Sequence, residues 1–324
     1  MKIAIIGGAG FVGTRLAKLF DLNQIEYYIF DKVLSDESYI DITIPKTFEV
    51  LDKFEIDAVV NLAAEHRDDV SPKSLYDDVN VQGSKNICEY CSQANIQNII
   101  FTSSVAVYGF SKSAVDENGE IKFFNDYGRT KYLAENVYRD WYDVDKSLRN
   151  LTIIRPTVIF GEANRGNVYN LLNQIYQKRF IMFGKGRNIK SMAYVENVVE
   201  FIAYSTQMKG YNLYNYIDKP DLNMNSLISY SRNVLFKKNN VGIRMPGWLG
   251  IIIGYMFDLV ALLLNKKLPI SSIRVKKFMS TTLFNTSIDK TGYKPKVTLE
   301  EGLYKTLKYE FLEDNSSQKT YQTE

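Results

Sequence analysis

A doubly wound α/β fold built on a parallel sheet is what this chain predicts, and three observations carry the prediction. An apolar strand from Lys2 runs directly into a turn with glycines at positions 7, 10 and 13, and a helical pattern follows through Phe20. Strand-like apolar runs then alternate with helical patterns as far as Ile154. A second strand, Tyr27 to Phe30, ends on the carboxylate of Asp31, at about the twenty-residue offset that a ribose-gripping acid needs. Such alternation lays the strands side by side and covers both faces of the sheet with helices.

The first element is Lys2-Ile-Ala-Ile-Ile-Gly-Gly-Ala-Gly-Phe-Val-Gly13. Gly7 permits the tight turn, Gly10 lets the backbone approach a pyrophosphate, and Gly13 permits close packing of helix on strand, with the helix N-terminus facing the anion. This is a Rossmann-type dinucleotide turn, and Phe11 and Val12 lie within it. Asp31 would accept hydrogen bonds from the adenosine ribose and repel a 2′-phosphate, while Lys32 alongside softens that preference. The expected cofactor is therefore NAD rather than NADP.

Next come an apolar run from Asp57 to Leu62, a helix through Asn95, a run from Asn98 to Ser103, the helix carrying Tyr127, and Leu151 to Ile154. After Pro156 the rhythm loosens. Helical stretches near Val168 to Lys178 and Tyr194 to Met208, a strand near Tyr211 to Ile217 and a last helix from Leu299 to Phe311 predict a smaller, mainly C-terminal, substrate-binding lobe. The expected division is a mainly NAD-binding domain over 1–160, the lobe over 161–312, and a frayed polar tail over 313–324.

Composition narrows the function classes. A chain of 324 residues with 45% hydrophobic content can bury a sizeable core, and a formal charge of +3 does not point to nucleic acid. Cys88 and Cys91 are the only cysteines and His66 the only histidine. A structural zinc site needs four ligands, so no metal is expected and the cysteines read as reduced helix residues. The first strand begins at the second residue, so the N-terminus reads as part of the fold rather than as a cleavable signal, and a cytoplasmic location is expected.

Tyr127-Gly-Arg-Thr-Lys131 places a phenol and an ammonium four residues apart, on one face of a helix. A cation beside a tyrosine favours the phenolate and moves its pKa down from about 10. Tyr127 is thereby a candidate general base for a sugar or alcohol hydroxyl.

These motifs resemble, over nearly the whole chain, those of the extended short-chain dehydrogenase/reductase family. The residues that carry the resemblance are Gly7 to Gly13, Asp41-Ile42, Asn61-Leu-Ala-Ala64, Asn80, Thr102-Ser-Ser-Val-Ala-Val-Tyr-Gly109, Tyr127 with Lys131, and Arg155-Pro156. The resemblance implies that Ser104, Tyr127 and Lys131 are catalytic and that Asp41 and Ile42 contact the adenine. It further implies that Leu62, Ala63, Ala64 and Pro156 line the cofactor and that Asn80 supports the nicotinamide side. Dehydratases of the family carry an Asp-Glu pair after the serine, where this chain has Val105-Ala106. Neither side chain transfers protons, which leaves epimerisation or simple oxidoreduction, and Asp31 leans toward an epimerase that keeps NAD bound.

Longer runs are similar to a bacterial branch of 4-epimerases acting on polyprenyl-diphosphate-linked N-acetylamino sugars in O-antigen assembly. They are Leu62 to Pro72, Asn164 to Leu172, Lys190 to Val195, Asp218 to Asn225 and Ser272 to Phe278. Ser103, Ser104, Tyr127, Asn167, Lys190, Arg274 and Thr282 are the implied substrate contacts. Thr282 falls where galactose epimerases that exclude N-acetyl sugars carry a bulky aromatic. A soluble UDP-GlcNAc/UDP-GalNAc 4-epimerase and a nucleotide-sugar 4-keto reductase remain alternatives; a non-catalytic NAD sensor of this fold would usually lack Tyr127 and Lys131.

Trp248 to Leu264 is apolar almost all round, so it is either buried in protein or lodged in lipid. The run is shorter than the roughly 20 residues of a transmembrane span and contains Asp258. Lys237, Lys238, Arg244, Lys266, Lys267, Arg274, Lys276 and Lys277 flank it. The expectation is monotopic contact with the cytoplasmic membrane surface, with a core helix or a homodimer helix as the other reading.

Overall fold

The computed structural model describes residues 1–67, 70–109, 113–264 and 272–323, with the side chains of Leu263, Leu264 and Arg274 outside the described set. The elements follow the expected alternation: β1 (Ile3–Ile6), α1 (Phe11–Leu22), β2 (Tyr27–Phe30), β3 (Ala58–Asn61), α2 (Ser74–Tyr76), α3 (Gly83–Gln93), β4 (Asn98–Thr102), α4 (Asp126–Val144) and β5 (Asn150–Pro156). Between α2 and α3 lies a π-helical turn, Asp77–Gln82, that no sequence pattern announced. Strands β1 and β3 are buried at every residue, as strands covered on both faces must be.

The second half of the chain supplies β6 (Val158–Phe160), α5 (Asn167–Tyr176), β7 (Ile181–Phe183), β8 (Ile189–Lys190), β9 (Met192–Tyr194), α6 (Val195–Ser205), β10 (Tyr211–Tyr216), β11 (Leu222–Asn223), α7 (Met224–Phe236), β12 (Ile243–Met245), α8 (Gly247–Leu264), α9 (Ser272–Met279) and α10 (Leu299–Phe311). The main sheet runs β10-β5-β4-β3-β1-β2, with every pairing parallel. Its sixth strand is thus β10, so residue 160 does not divide the chain cleanly. Short pairs β6 with β9, β8 with β11, and β7 with β12 build the lobe.

Two cores flank the sheet. One holds Leu16 and Phe20 of α1 with Val199 and Ile202 of α6, and extends into the lobe through Leu172, Leu227 and Leu303. The other packs Ile87 and Cys91 of α3 and Tyr138 and Trp141 of α4 on the opposite face. Cys88 and Cys91 are both free and buried in α3. The helix starts obey local rules: Asn125 caps α4 by accepting from the Gly128 N–H, and Thr298 with Glu301 forms a capping box on α10.

Two segments differ from expectation. The polar tail is packed, since the Tyr321 N–H donates to the Ala163 carbonyl at 2.9 Å and its own carbonyl accepts from the Arg165 N–H at 2.8 Å. Helix α8 is not a core helix. Gly250 lets it seat against Phe183, where a Cβ would lie 2.5 Å from the ring, and Asp258 accepts from the Ser272 N–H, tying α9 to it. Trp248, Met256 and Leu262 are 64%, 63% and 78% exposed, so its outer face is uncovered. Among the described residues, no helix is long and apolar enough to cross a membrane.

Candidate active site

A cleft of about 660 Å³ opens at the C-terminal ends of β1, β3 and β4, where the strand order reverses and α/β sheets bind ligands. Gly7, Gly10, Phe11, Val12 and Gly13 form its floor. Gly7 has φ +80°, and a Cβ there would come within 2.6 Å of the Ala63 nitrogen, so this turn accepts only glycine without strain. Helix α1 starts on Gly10 with no side-chain cap, which leaves its first N–H groups for an anion. An NAD pyrophosphate fits this cradle.

Asp31, Asp41 and Ile42, the residues expected at the adenosine end, all lie in the cleft wall. Asp31 accepts from the Ala9 and Val33 N–H groups, each at 3.2 Å, and these bonds fix its carboxylate beside the glycine turn. Asp41 accepts from both the N–H and the hydroxyl of Thr43, which orients it. Leu62, Ala63, Ala64 and Pro156 also line the cleft. Asn80 does not line it. Its amide brackets Glu65, accepting from the N–H and donating to the carbonyl at 2.9 Å each, and donates to Thr130 at 3.0 Å. Asn80 therefore clamps the loop after Ala64 onto α4, from inside the π-helical turn; π-turns of this kind recur at functional sites.

Ser104 follows β4 and caps the 3₁₀ turn Val105–Tyr108, accepting from the Ala106 N–H at 3.1 Å. Its hydroxyl faces the Tyr127 phenol closely enough to favour the phenolate. Lys131 lies one helical turn further along α4, 2% exposed, with its ammonium 4.5 Å above the Phe101 ring. All three line the cleft. Beneath them Glu135 is wholly buried, held by Arg155 through bonds of 2.7 and 2.5 Å, by Arg139 at 2.6 Å and by the Ser103 hydroxyl at 2.6 Å. Ser103 lines the cleft, but its hydroxyl is thus committed to an internal charge network that fixes the backbone next to Ser104.

The electrostatics correct one expectation. Desolvation pushes Tyr127 up to about 12, with the nearby Ser104 hydroxyl opposing it, and pushes Lys131 down to about 7, with Glu135 opposing it. Lys131 does not lower the phenol here, because burial disfavours the charged form of both groups.

The substrate-side residues separate. Asn167 and Thr282 line the cleft. Thr282 is held there by its backbone, donating to the Ile189 carbonyl and accepting from the Ser191 N–H. Lys190 does not reach the cleft: its ammonium donates to the Lys277 carbonyl at 2.9 Å, and burial lowers it to about 8. Lys277 lines the cleft in its stead, its ammonium 5.2 Å over the Phe124 ring. It was legible in sequence only as one of a basic run. The Arg274 side chain, Asp68, Asp69, Lys266 and Lys267 lie outside the described residues.

Comparisons with known proteins agree with this geometry. Residues 3–215 match the NAD dependent epimerase/dehydratase family. The chain is 47% identical to the N-acetyl-α-D-glucosaminyl-diphospho-ditrans,octacis-undecaprenol 4-epimerase of Escherichia coli O157:H7, covering all of this chain and 99% of that protein. In fold it is similar to the UDP-glucose 4-epimerase of Thermotoga maritima with UDP-glucose (TM-score 0.73, 18% identity, 95% and 98% of the two chains). It is likewise similar to the NAD complex of the Thermus thermophilus UDP-glucose 4-epimerase (TM-score 0.71, 16% identity, 95% and 98%). With an uncapped α1 N-terminus over the glycine turn and Ser104, Tyr127 and Lys131 gathered on one wall, the chain belongs to the NAD-dependent epimerase/dehydratase family of extended short-chain dehydrogenases/reductases and uses NAD.

Proposed function

We propose that this enzyme interconverts GlcNAc-diphospho-undecaprenol and GalNAc-diphospho-undecaprenol at the sugar C4, for surface polysaccharide assembly. The observation that carries the reading is full-length identity of 47% to a relative named for that lipid-linked substrate. Tyr127 removes the proton of the 4-hydroxyl, and Ser104 hydrogen-bonds the same oxygen while the carbonyl forms. The glycine turn and Asp31 would hold NAD, which would supply the acceptor, and then the donor, of the C4 hydride. Lys131 beside the phenol favours the proton's departure once its ammonium is charged. The 4-keto sugar turns over within the cleft, and Tyr127 gives the proton back after the hydride arrives on the other face. Val105 and Ala106 hold no acid or base for eliminating water, and the short Thr282 leaves room for an acetamido group.

The exposed apolar face of α8 supports a peripheral seat on the cytoplasmic membrane face. Trp248 and Tyr255 suit the headgroup level, and Ile252, Met256 and Leu259 lie on the same exposed surface. Helix α9 carries Ile273 outward and Lys277 into the cleft, so one helix joins this surface to the active site. Incubating the protein separately with GlcNAc-diphospho-undecaprenol and UDP-GlcNAc and analysing the released sugars tests the substrate. Conversion of the lipid-linked donor is expected; conversion of UDP-GlcNAc alone would favour the soluble alternative.

A further inference from the structure

After α10 the chain turns back at Asn315, whose carbonyl accepts from the Gln318 N–H, and Tyr321 forms a parallel bridge with Asn164. The Tyr321 ring lies 5.9 Å from the ring of Phe11, the residue inside the glycine turn. Two residues on, the Thr323 hydroxyl donates to the Asn164 side-chain oxygen at 2.6 Å and Thr323 itself lines the cleft. Asn164 is 4% exposed and is held in turn by the Gly166 N–H and the Ile159 carbonyl. Gly166 makes the seat possible, since a Cβ there would lie 2.5 Å from the Thr323 hydroxyl. Segment 319–323 therefore touches the cofactor turn through Phe11 and the opposite wall through Asn164.

We propose that residues 319–323 form a strap of the cofactor site, which closes the cleft beside the glycine turn and slows the release of NAD. The chemistry gives such a strap a purpose. An epimerase takes a hydride and must return it from the same dinucleotide, so a cofactor lost between the two transfers strands the oxidised sugar. Among the described residues, two backbone hydrogen bonds at Tyr321, one side-chain bond at Thr323, a ring pair and the packing of Tyr321 on the edge of the core hold the strap, a set small enough for it to open when the cofactor exchanges.

The test uses a variant ending at Ser317 together with Tyr321→Ala and Thr323→Val in the full chain. Each is loaded with NADH, and its release is followed by the fluorescence change on dilution into excess NAD. Losing the ring contact or the hydrogen bond should speed release roughly tenfold in each point variant, and more in the shortened chain. The melting temperature without cofactor should stay near wild type in the point variants while the rise produced by added NAD shrinks. Unchanged release in both point variants overturns the strap, whether or not the shortened chain folds. A lowered melting temperature with an undiminished NAD response would make the segment a structural clasp and overturn it equally.

Discussion

Gly128 rests against the carbonyl oxygen of Ala106, so close that a Cβ would lie 2.4 Å from it. This contact brings the first turn of α4 against the turn that follows Ser104, and so brings Tyr127 to the Ser104 hydroxyl. A Gly128→Ala variant must push the two apart. Overpacking of this kind costs about 1–3 kcal/mol, and displacement of the base from its partner should lower kcat at least tenfold. Measuring kcat beside the melting temperature separates the effects: wild-type kcat in a folded variant would show that the contact does not set the geometry.

Tyr127→Phe and Ser104→Ala should each lower turnover by about 10²- to 10⁴-fold while NAD remains bound, because each removes one part of proton transfer. Single-turnover assays with the cofactor content determined by absorbance check both halves. Near-normal turnover in Tyr127→Phe would remove the phenol from its role.

Protein stripped of cofactor should become more stable as pH rises from about 7 toward 9, above which the buried Cys88 and Cys91 thiols, pushed up by desolvation, oppose the trend. Lys131 titrates near 7 when folded and near 10.5 when unfolded, so across this window the unfolded chain binds more protons and raising pH favours the folded state. Lys190, lowered to about 8, acts in the same direction over the upper part of the window. Tyr127, raised to about 12, opposes them only above its ordinary value of 10. Thermal unfolding at intervals from about pH 7 to 9 should show the rise, and Lys131→Met should flatten it. An equal slope in that variant would mean that Lys131 is charged when buried.

How much of this was legible in sequence follows the range of the interactions. The glycine turn, Asp31 and the Ser104, Tyr127 and Lys131 set announce themselves because each works through local spacing on a strand end or a helix face. The parallel pairing of β10 with β5 across 60 residues, Tyr211 on Leu151, has no local signal. Nor does the exchange of Lys190 for Lys277 at the cleft, which depends on the register that bridges Lys190 to Thr282 and turns the Lys190 ammonium toward α9. The phenol's shift was misjudged in direction because spacing reveals a nearby cation but not the desolvation that both groups undergo. Residues 319–323 read as frayed on composition, yet Gly166 and Asn164 hold a place for them, Asn164 lying 159 residues before Thr323 in sequence.

Replacing Ile252, Met256 and Leu259 together by Gln should move the protein from membranes to the soluble fraction. Apolar area contributes about 25 cal/mol per Å² removed from water, and each flanking cation adds about 1 kcal/mol near anionic lipid, a share that high salt should weaken. These side chains are already exposed, so folding should survive. Co-sedimentation with anionic vesicles measures the shift. A variant that stays vesicle-bound contradicts the seat, and one whose only change is the loss of a dimer on gel filtration assigns the face to a second copy of the chain.

The central claim is a closed hydride cycle at C4 of a lipid-linked sugar, and mass analysis after incubation with GlcNAc-diphospho-undecaprenol deuterated at C4 tests it most directly. The account predicts GalNAc product that retains its deuterium at C4 with no NAD consumed. Washout of the label into solvent, or no epimerised product from the lipid-linked sugar while UDP-GlcNAc is converted, would contradict it.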